Sequence, residues 1–220
     1  LLRRYETLAT HNRMDVALKL LDNPTYPSYG YMVNNSHEPS TTLWERWESD
    51  ATPDDQADAS RNHIMYGAIS AFFWKHLVGL RPALPGWRRA RVAPVPERCE
   101  EGDAAGSWRG RGNDGIMDAV DARLGTIGGE FVVQWRLHPA RAGEGESSSR
   151  LFGLNVTLPV PASVVVPCVP TTGVVAIGEA VAWRDGKVSG QHAGVTSARR
   201  LESGGVEFAV AAGDYAFLRA

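Results

Sequence analysis

Glu45 is flanked by two tryptophans in the stretch Thr41-Thr42-Leu43-Trp44-Glu45-Arg46-Trp47. A carboxylate between indole faces suits a sugar, whose apolar C–H face stacks on an aromatic ring while its hydroxyls seek acceptors. A general base needs an ionised carboxylate, and neighbouring Arg46 places a positive charge beside it. The same residues also fit a bland alternative, two core tryptophans next to a surface Glu45–Arg46 ion pair. An isolated Trp-Glu-x-Trp does not choose between them.

Two further blocks stand on either side. Upstream is Pro27-Ser28-Tyr29-Gly30-Tyr31-Met32-Val33, and downstream is Ser60-Arg61-Asn62-His63-Ile64-Met65-Tyr66-Gly67. In this order the three blocks resemble the C-terminal part of the α-L-rhamnosidases, glycoside hydrolase family 78. That family has a Pro-Ser-Trp-Gly-Tyr-Met block, then Thr-Thr-x-Trp-Glu-x-Trp, then an Asn-His opening a helix. The resemblance covers most of the chain, is specific over residues 26–82 and is looser beyond them.

The resemblance implies an α + β multidomain fold, with the terminal helices of an (α/α)6 catalytic barrel followed by an antiparallel β-sandwich. It implies hydrolysis of a small-molecule or oligosaccharide rhamnoside with inversion. Glu45 would be the general base, and His63 of Asn62-His63 would hydrogen-bond a rhamnose hydroxyl. Trp44, Trp47, Tyr29 and Arg46 are the other expected sugar contacts. Tyr29 stands where the family has Trp, which keeps an aromatic platform, and the segment Asn34 to Pro39 replaces a shorter, Gly-containing one. His37 and Glu38 in that segment receive no role.

An inverting glycosidase also needs a general acid, roughly 6.5–9.5 Å from the base. No stretch matches the family's acid-bearing block, and each such group is worth ~10²–10⁴-fold in rate. The chain therefore reads as a fragment with little activity alone, whose partner is the missing N-terminal part of the same protein. A barrel cut this short is expected to leave Leu18, Leu21, Phe72 and Phe73 exposed.

Composition narrows the other classes. An apolar content of 43% and seven Trp in 220 residues indicate packed domains. A formal charge of −2 supplies no basis for binding nucleic acid or a membrane surface. No apolar run approaches the ~20 residues of a membrane helix. The chain opens Leu1-Leu2-Arg3-Arg4-Tyr5, like the inside of a helix. Cys99 and Cys168 are expected as buried free thiols, and no Cys/His cluster has zinc-ligand spacing. Neither a Gly-x-Ser-x-Gly elbow nor a phosphate loop is present, and no metal or cofactor is expected.

The elements that must position these residues follow from periodicity. Leu2, Tyr5 and Leu8 mark a first helix; Met14, Leu18 and Leu21 mark a second, with Asn12 as its cap and Asn23-Pro24 as its stop. Residues 26–59 read as one long loop. Ser60 is the expected cap of a helix whose stripe is Ile69, Phe72, Phe73, His76, Leu77 and Leu80. The expected domains are 1–82, the end of the barrel, and 88–220, the β-sandwich, joined by a linker at 83–87. Strands are predicted at 116–124, 130–137, 154–158, 163–166, 174–177, 206–210 and 215–218, with Gly128-Gly129 turning a hairpin.

Two other readings use the same residues. The β-domain, with Trp87, Trp108, Trp135 and Trp183, can instead be a non-catalytic carbohydrate-binding or packing module. The helical part can belong to another inverting enzyme of the (α/α)6 class.

Overall fold

The computed structural model describes residues 2–49, 59–96, 117–138 and 151–219. By its internal contacts the chain separates into two units, with the main boundary between Phe73 and Trp74.

The first unit holds helices α1 (Leu2–Thr10), α2 (Met14–Asp22), α3 (Tyr29–Asn34), α4 (Ile64–Gly67) and α5 (Ile69–Phe72). The two expected N-terminal helices form, but Asn12 does not cap the second. It takes a left-handed backbone (φ 57°), which Asn tolerates, and turns the chain, while Arg13 holds the cap position without a side-chain capping bond, its guanidinium pairing with Asp15 instead. Helix α3 lies inside the predicted loop. Its cap is Ser28, whose Oγ accepts from the Tyr31 N–H at 2.9 Å. Gly30 is there because a Cβ would stand 2.5 Å from the Asn23 carbonyl oxygen. The third expected cap also moves: α4 starts at Ile64, capped by His63 rather than Ser60. The helical run continues as a π-turn over Phe73–Leu77. Leu18 and Phe72 are buried, against the expectation of exposed faces, whereas Phe73 is partly exposed.

The second unit is built from β1 (Leu80–Leu84), β2 (Arg89–Val92), β3 (Ala119–Thr126), β4 (Gly129–His138), β5 (Leu151–Leu158), β6 (Ala162–Val166), β7 (Val174–Ile177), β8 (Ala180–Arg184), β9 (Lys187–Val188), β10 (Val195–Arg200), β11 (Val206–Val210) and β12 (Gly213–Arg219). They form a five-stranded sheet, β1-β2-β6-β11-β10, and a seven-stranded sheet, β3-β4-β5-β12-β7-β8-β9. Every neighbouring pair is antiparallel except β2–β6, which is parallel, so the sheets are not uniformly antiparallel as expected. Residues 80–84, placed partly in the barrel and partly in the linker by sequence, are an edge strand of the first sheet. No helix occurs among the described residues of 128–220.

Alternation explains how the sheets pack. On β4, Phe131, Val133, Trp135 and Leu137 are buried while the residues between them are not. They join Phe152, Leu154, Val164, Val166, Phe208 and Phe217 in one cluster drawn from both sheets. Trp135 also donates from Nε1 to the Leu77 carbonyl at 2.7 Å. Gly79, at φ 76°, joins the π-turn to β1 where a Cβ would lie 2.2 Å from the Pro94 nitrogen. Arg219 is buried, donates to the Cys168 carbonyl at 2.9 Å, and is pulled down by burial to a pKa of about 9. Cys168 itself is disulfide-bonded, not a free thiol. Burial alone does not distinguish a thiol from half a disulfide. Cys99, Trp108 and all of 139–150 lie outside the described residues.

On the five-stranded sheet, Glu207 is buried between Arg91 and Arg199. Burial alone would raise its carboxyl, but hydrogen bonds from Arg199 and Arg91, with their charge, hold it below the usual range. A depressed acid contributes stability above its unfolded value, near 4.3, that is lost as pH falls through the folded one. Urea midpoints should therefore fall on acidification, and Glu207→Gln should flatten that dependence. Trp135→Phe keeps most of the apolar area but strands the Leu77 carbonyl, so chemical denaturation should show a loss of about 1–3 kcal/mol.

Candidate functional site

Two extended segments of the first unit form the site. The Glu45 N–H donates to the Ser60 carbonyl at 2.8 Å, and the His63 N–H to the Leu43 carbonyl at 2.8 Å. The Thr42 hydroxyl donates to the Arg61 carbonyl. Residues far apart in sequence are thereby held side by side.

The Glu45 carboxylate is fixed by the same pairing. Its Oε2 accepts from the Ser60 N–H at 2.9 Å, and the residue is only half-buried. Its Oε1 has no hydrogen-bond partner among the described residues. His63 Nδ1 accepts from the Met65 N–H at 3.0 Å, capping α4. An accepting Nδ1 carries no proton, so in neutral His63 the proton is on Nε2, a hydrogen-bond donor.

The aromatic residues divide by depth. Trp44 is 2% exposed and belongs to the core of the unit. Trp47 is half-buried and stacks on Tyr66, with centroids 4.1 Å apart and planes at 24°. Tyr29 meets Trp47 edge-on at 5.1 Å and Tyr66 at 5.9 Å. Its hydroxyl donates to the Tyr66 carbonyl at 3.0 Å, and burial pushes its phenol well above the ordinary value. Tyr29 thus supports Trp47 from below. Arg46 is exposed, and its backbone carbonyl accepts from the Ser49 hydroxyl at 3.1 Å.

Several residues of the site carry no role in the sequence reading. Ser60, expected as a helix cap, instead gives its N–H to Glu45. Tyr66 forms the stack under Trp47; its place one helical turn after His63 was the available signal. Glu38 pairs with Arg61, whose Nη2 also donates to the Ser49 carbonyl at 3.1 Å. The unusual segment around Glu38 is closed by Asn35, whose Oδ1 accepts from the His37 and Glu38 N–H groups at 3.1 and 2.6 Å. This is an Asx turn, a local geometry that loop composition alone does not reveal. Among the described residues, no group of three or more His, Cys, Asp or Glu is placed to hold a metal ion. No described helix is long and apolar enough to cross a membrane.

Residues 4–77, which contain this geometry, match the family model of the bacterial α-L-rhamnosidase six-hairpin glycosidase domain. This segment is thus similar to a domain of the bacterial α-L-rhamnosidases. A relative from Alteromonas sp. (strain LOR), named α-L-rhamnosidase, is 38% identical over 92 residues, 40% of this chain and 10% of that protein. The solved α-L-rhamnosidase of Dictyoglumus thermophilum superimposes with a TM-score of 0.69 at 27% identity, covering 98% of this chain and 20% of that one. The Streptomyces avermitilis α-L-rhamnosidase, solved in complex with L-rhamnose, superimposes with a TM-score of 0.67 at 22% identity, over 97% of this chain and 17% of that one, a likeness of fold. The chain thus spans about a tenth of the length of the curated relatives it matches.

The cap makes a prediction independent of any activity. His63→Ala removes the acceptor for the Met65 N–H and should cost about 1 kcal/mol in urea unfolding, whereas His63→Asn, a good cap, should cost less.

Proposed function

We propose that this rhamnosidase segment supplies the general base, Glu45, and a sugar-binding histidine, His63, to an enzyme that removes terminal α-L-rhamnose from glycosides with inversion. The observation that carries the reading is the paired backbone of 43–45 and 60–63. It holds on neighbouring segments Glu45, half-buried with one carboxylate oxygen committed, and His63, whose capping bond leaves Nε2–H to donate, and this supports a shared sugar site.

In this mechanism Ser60 N–H orients the carboxylate, and Oε1 takes a proton from a water attacking the anomeric carbon. The glycosidic oxygen leaves on the opposite face, protonated by an acid from outside this chain, at the roughly 6.5–9.5 Å separation that admits the water. His63 Nε2–H donates to a ring hydroxyl, and the outer face of Trp47 offers a surface for the sugar's C–H groups. Trp44, Tyr29 and Arg46 are assigned outer roles, the first two beneath the aromatic surface and the third at the exposed rim.

The same proposal takes the first unit as the end of an (α/α)6 barrel and the second as a β-sandwich. Ile64 and Met65, 82% and 54% exposed next to His63, fit a surface that the rest of the barrel covers. Without that part, and the acid it carries, the chain alone should show little hydrolysis.

Steady-state kinetics of the intact enzyme on an aryl α-L-rhamnoside test the assignment. Glu45→Gln keeps the shape but loses the basic oxygen, so kcat should fall by ~10²-fold or more with KM little changed. His63→Ala should weaken kcat and KM together, since a hydroxyl loses its partner in ground and transition states alike. A Glu45→Gln enzyme with near-normal kcat removes Glu45 from the mechanism.

A further inference from the structure

The outer face of the seven-stranded sheet holds an open trough of ≈ 300 Å³ across β4, β5 and β12. Its side chains come in two rows set by strand register. Gln134 is opposite Asn155, which is opposite Ala216; Val132 is opposite Thr157, which is opposite Asp214. Outward sheet faces ordinarily carry charged or long polar chains standing free in water. Here Val132 and Gln134 are half-buried, and Ala216 opens a gap beside Asn155.

The polar groups in this trough are oriented. Gln134 Nε2 donates to Asp121 Oδ2 at 2.8 Å, and the Thr157 hydroxyl donates to Asp214 Oδ1 at 2.6 Å. With the Thr157 hydroxyl and one Gln134 N–H committed, Gln134 Oε1 and Asp214 Oδ2 remain as acceptors, the second Gln134 N–H as a donor, and the Asn155 amide as both. Among the described residues, no Lys or Arg lines the trough, so it does not suit an anion. Among them it holds one carboxylate, fewer than the ligand set a resident metal requires. What fits is a neutral ligand rich in hydroxyls, donating to two fixed acceptors and meeting an amide, with Val132 and Ala216 against its C–H groups. The volume is at the lower end for small-molecule sites, the size of a single sugar unit rather than a long chain.

We propose that this trough is a subsite for a neutral sugar residue, carried by the unit that does not hold Glu45. The choice of L-rhamnose as its probe rests on the rhamnosidase reading; the hydrogen-bonding argument does not. Among the described residues the one aromatic of the lining, Tyr215, is buried with its hydroxyl donating to the Ala211 carbonyl, so the trough offers no exposed aromatic face; being also open to water, it is limited to an affinity of about 1 mM or weaker.

The test is a titration of the isotope-labelled 220-residue chain with L-rhamnose, followed by two-dimensional proton–nitrogen NMR. The side-chain amides of Gln134 and Asn155 and the backbone amides of 132–134, 155–157 and 214–216 should shift saturably. Ala216→Leu, which fills the gap, and Asn155→Ala, which removes the amide, should each weaken that binding at least about fivefold. Their signal dispersion should match the parent's, showing that both fold. Glu45→Gln should leave these shifts unchanged. Absence of saturable shifts at these positions overturns the proposal. So do shifts from calcium or phosphate without any from the sugar, or binding that Ala216→Leu leaves intact. Sugar shifts here together with full turnover in Glu45→Gln enzyme would remove the base assignment and leave the subsite standing.

Discussion

The Ser60 amide and carbonyl grip Glu45 at both ends, the carbonyl taking its backbone N–H and the amide its carboxylate. Everything chemical in the first unit depends on this reciprocal contact, because it brings the carboxylate block and the Asn-His block together. Closing a loop of about 15 residues costs on the order of 2 kcal/mol plus a constant. The four hydrogen bonds across the pairing contribute about 1 kcal/mol each, a margin that is thin once side-chain ordering is included. Buried Trp44 and the Trp47–Tyr66 stack supply the remainder, since aromatic pairs add about 0.5–1.5 kcal/mol beyond burial. The tryptophans around Glu45 therefore do two jobs. Trp44 anchors the segment, and Trp47, shored up by Tyr66 and Tyr29, presents a face.

The two readings of Trp-Glu-x-Trp with which the sequence began are thus both partly realised. Trp44 is a core residue, as the bland reading had it, yet Glu45 does not form a surface pair with Arg46. The carboxylate is held by backbone, which fixes its direction without neutralising it as a cation would. Arg61, two residues before His63, is the arginine engaged at the site, tied to Glu38 and the Ser49 carbonyl. Its pairing brings the unusual 34–39 segment against the Asn-His block, so the departure from the family pattern sits at the rim and not in the hydrogen bonds that set Glu45.

Strands were legible where burial imposes strict alternation. The β7 and β11 boundaries, 174–177 and 206–210, coincide with prediction, and Phe131 to Leu137 face the core as the pattern requires. Strands at edges or with polar faces escaped: β10, Val-Thr-Ser-Ala-Arg-Arg, has one half-buried face and no apolar rhythm. The β3–β4 hairpin followed from Gly128-Gly129, since Thr126 pairs with Gly129 across a two-residue turn. Helix starts were the weakest feature. Asn12, Ser28 and Ser60 are all good caps by composition, and only tertiary packing decides that Ser28 caps while Ser60 turns its N–H to Glu45. For the site, residue types and order pointed to Glu45 and His63. Ser60 was not legible, because it acts through its backbone, and Tyr66 showed only in its spacing from His63, because its stack on Trp47 is made by folding.

The central claim is that Glu45 delivers the attacking nucleophile from the face opposite the leaving group, and chemical rescue tests it most directly. Glu45→Ala in the intact enzyme removes the base and leaves room for a small anion that needs no deprotonation. With an activated aryl α-L-rhamnoside and azide, the account predicts that turnover recovers with azide concentration and that the product is the β-configured rhamnosyl azide. Formation of the α-azide, or a Glu45→Ala enzyme that turns over normally without azide, would contradict it.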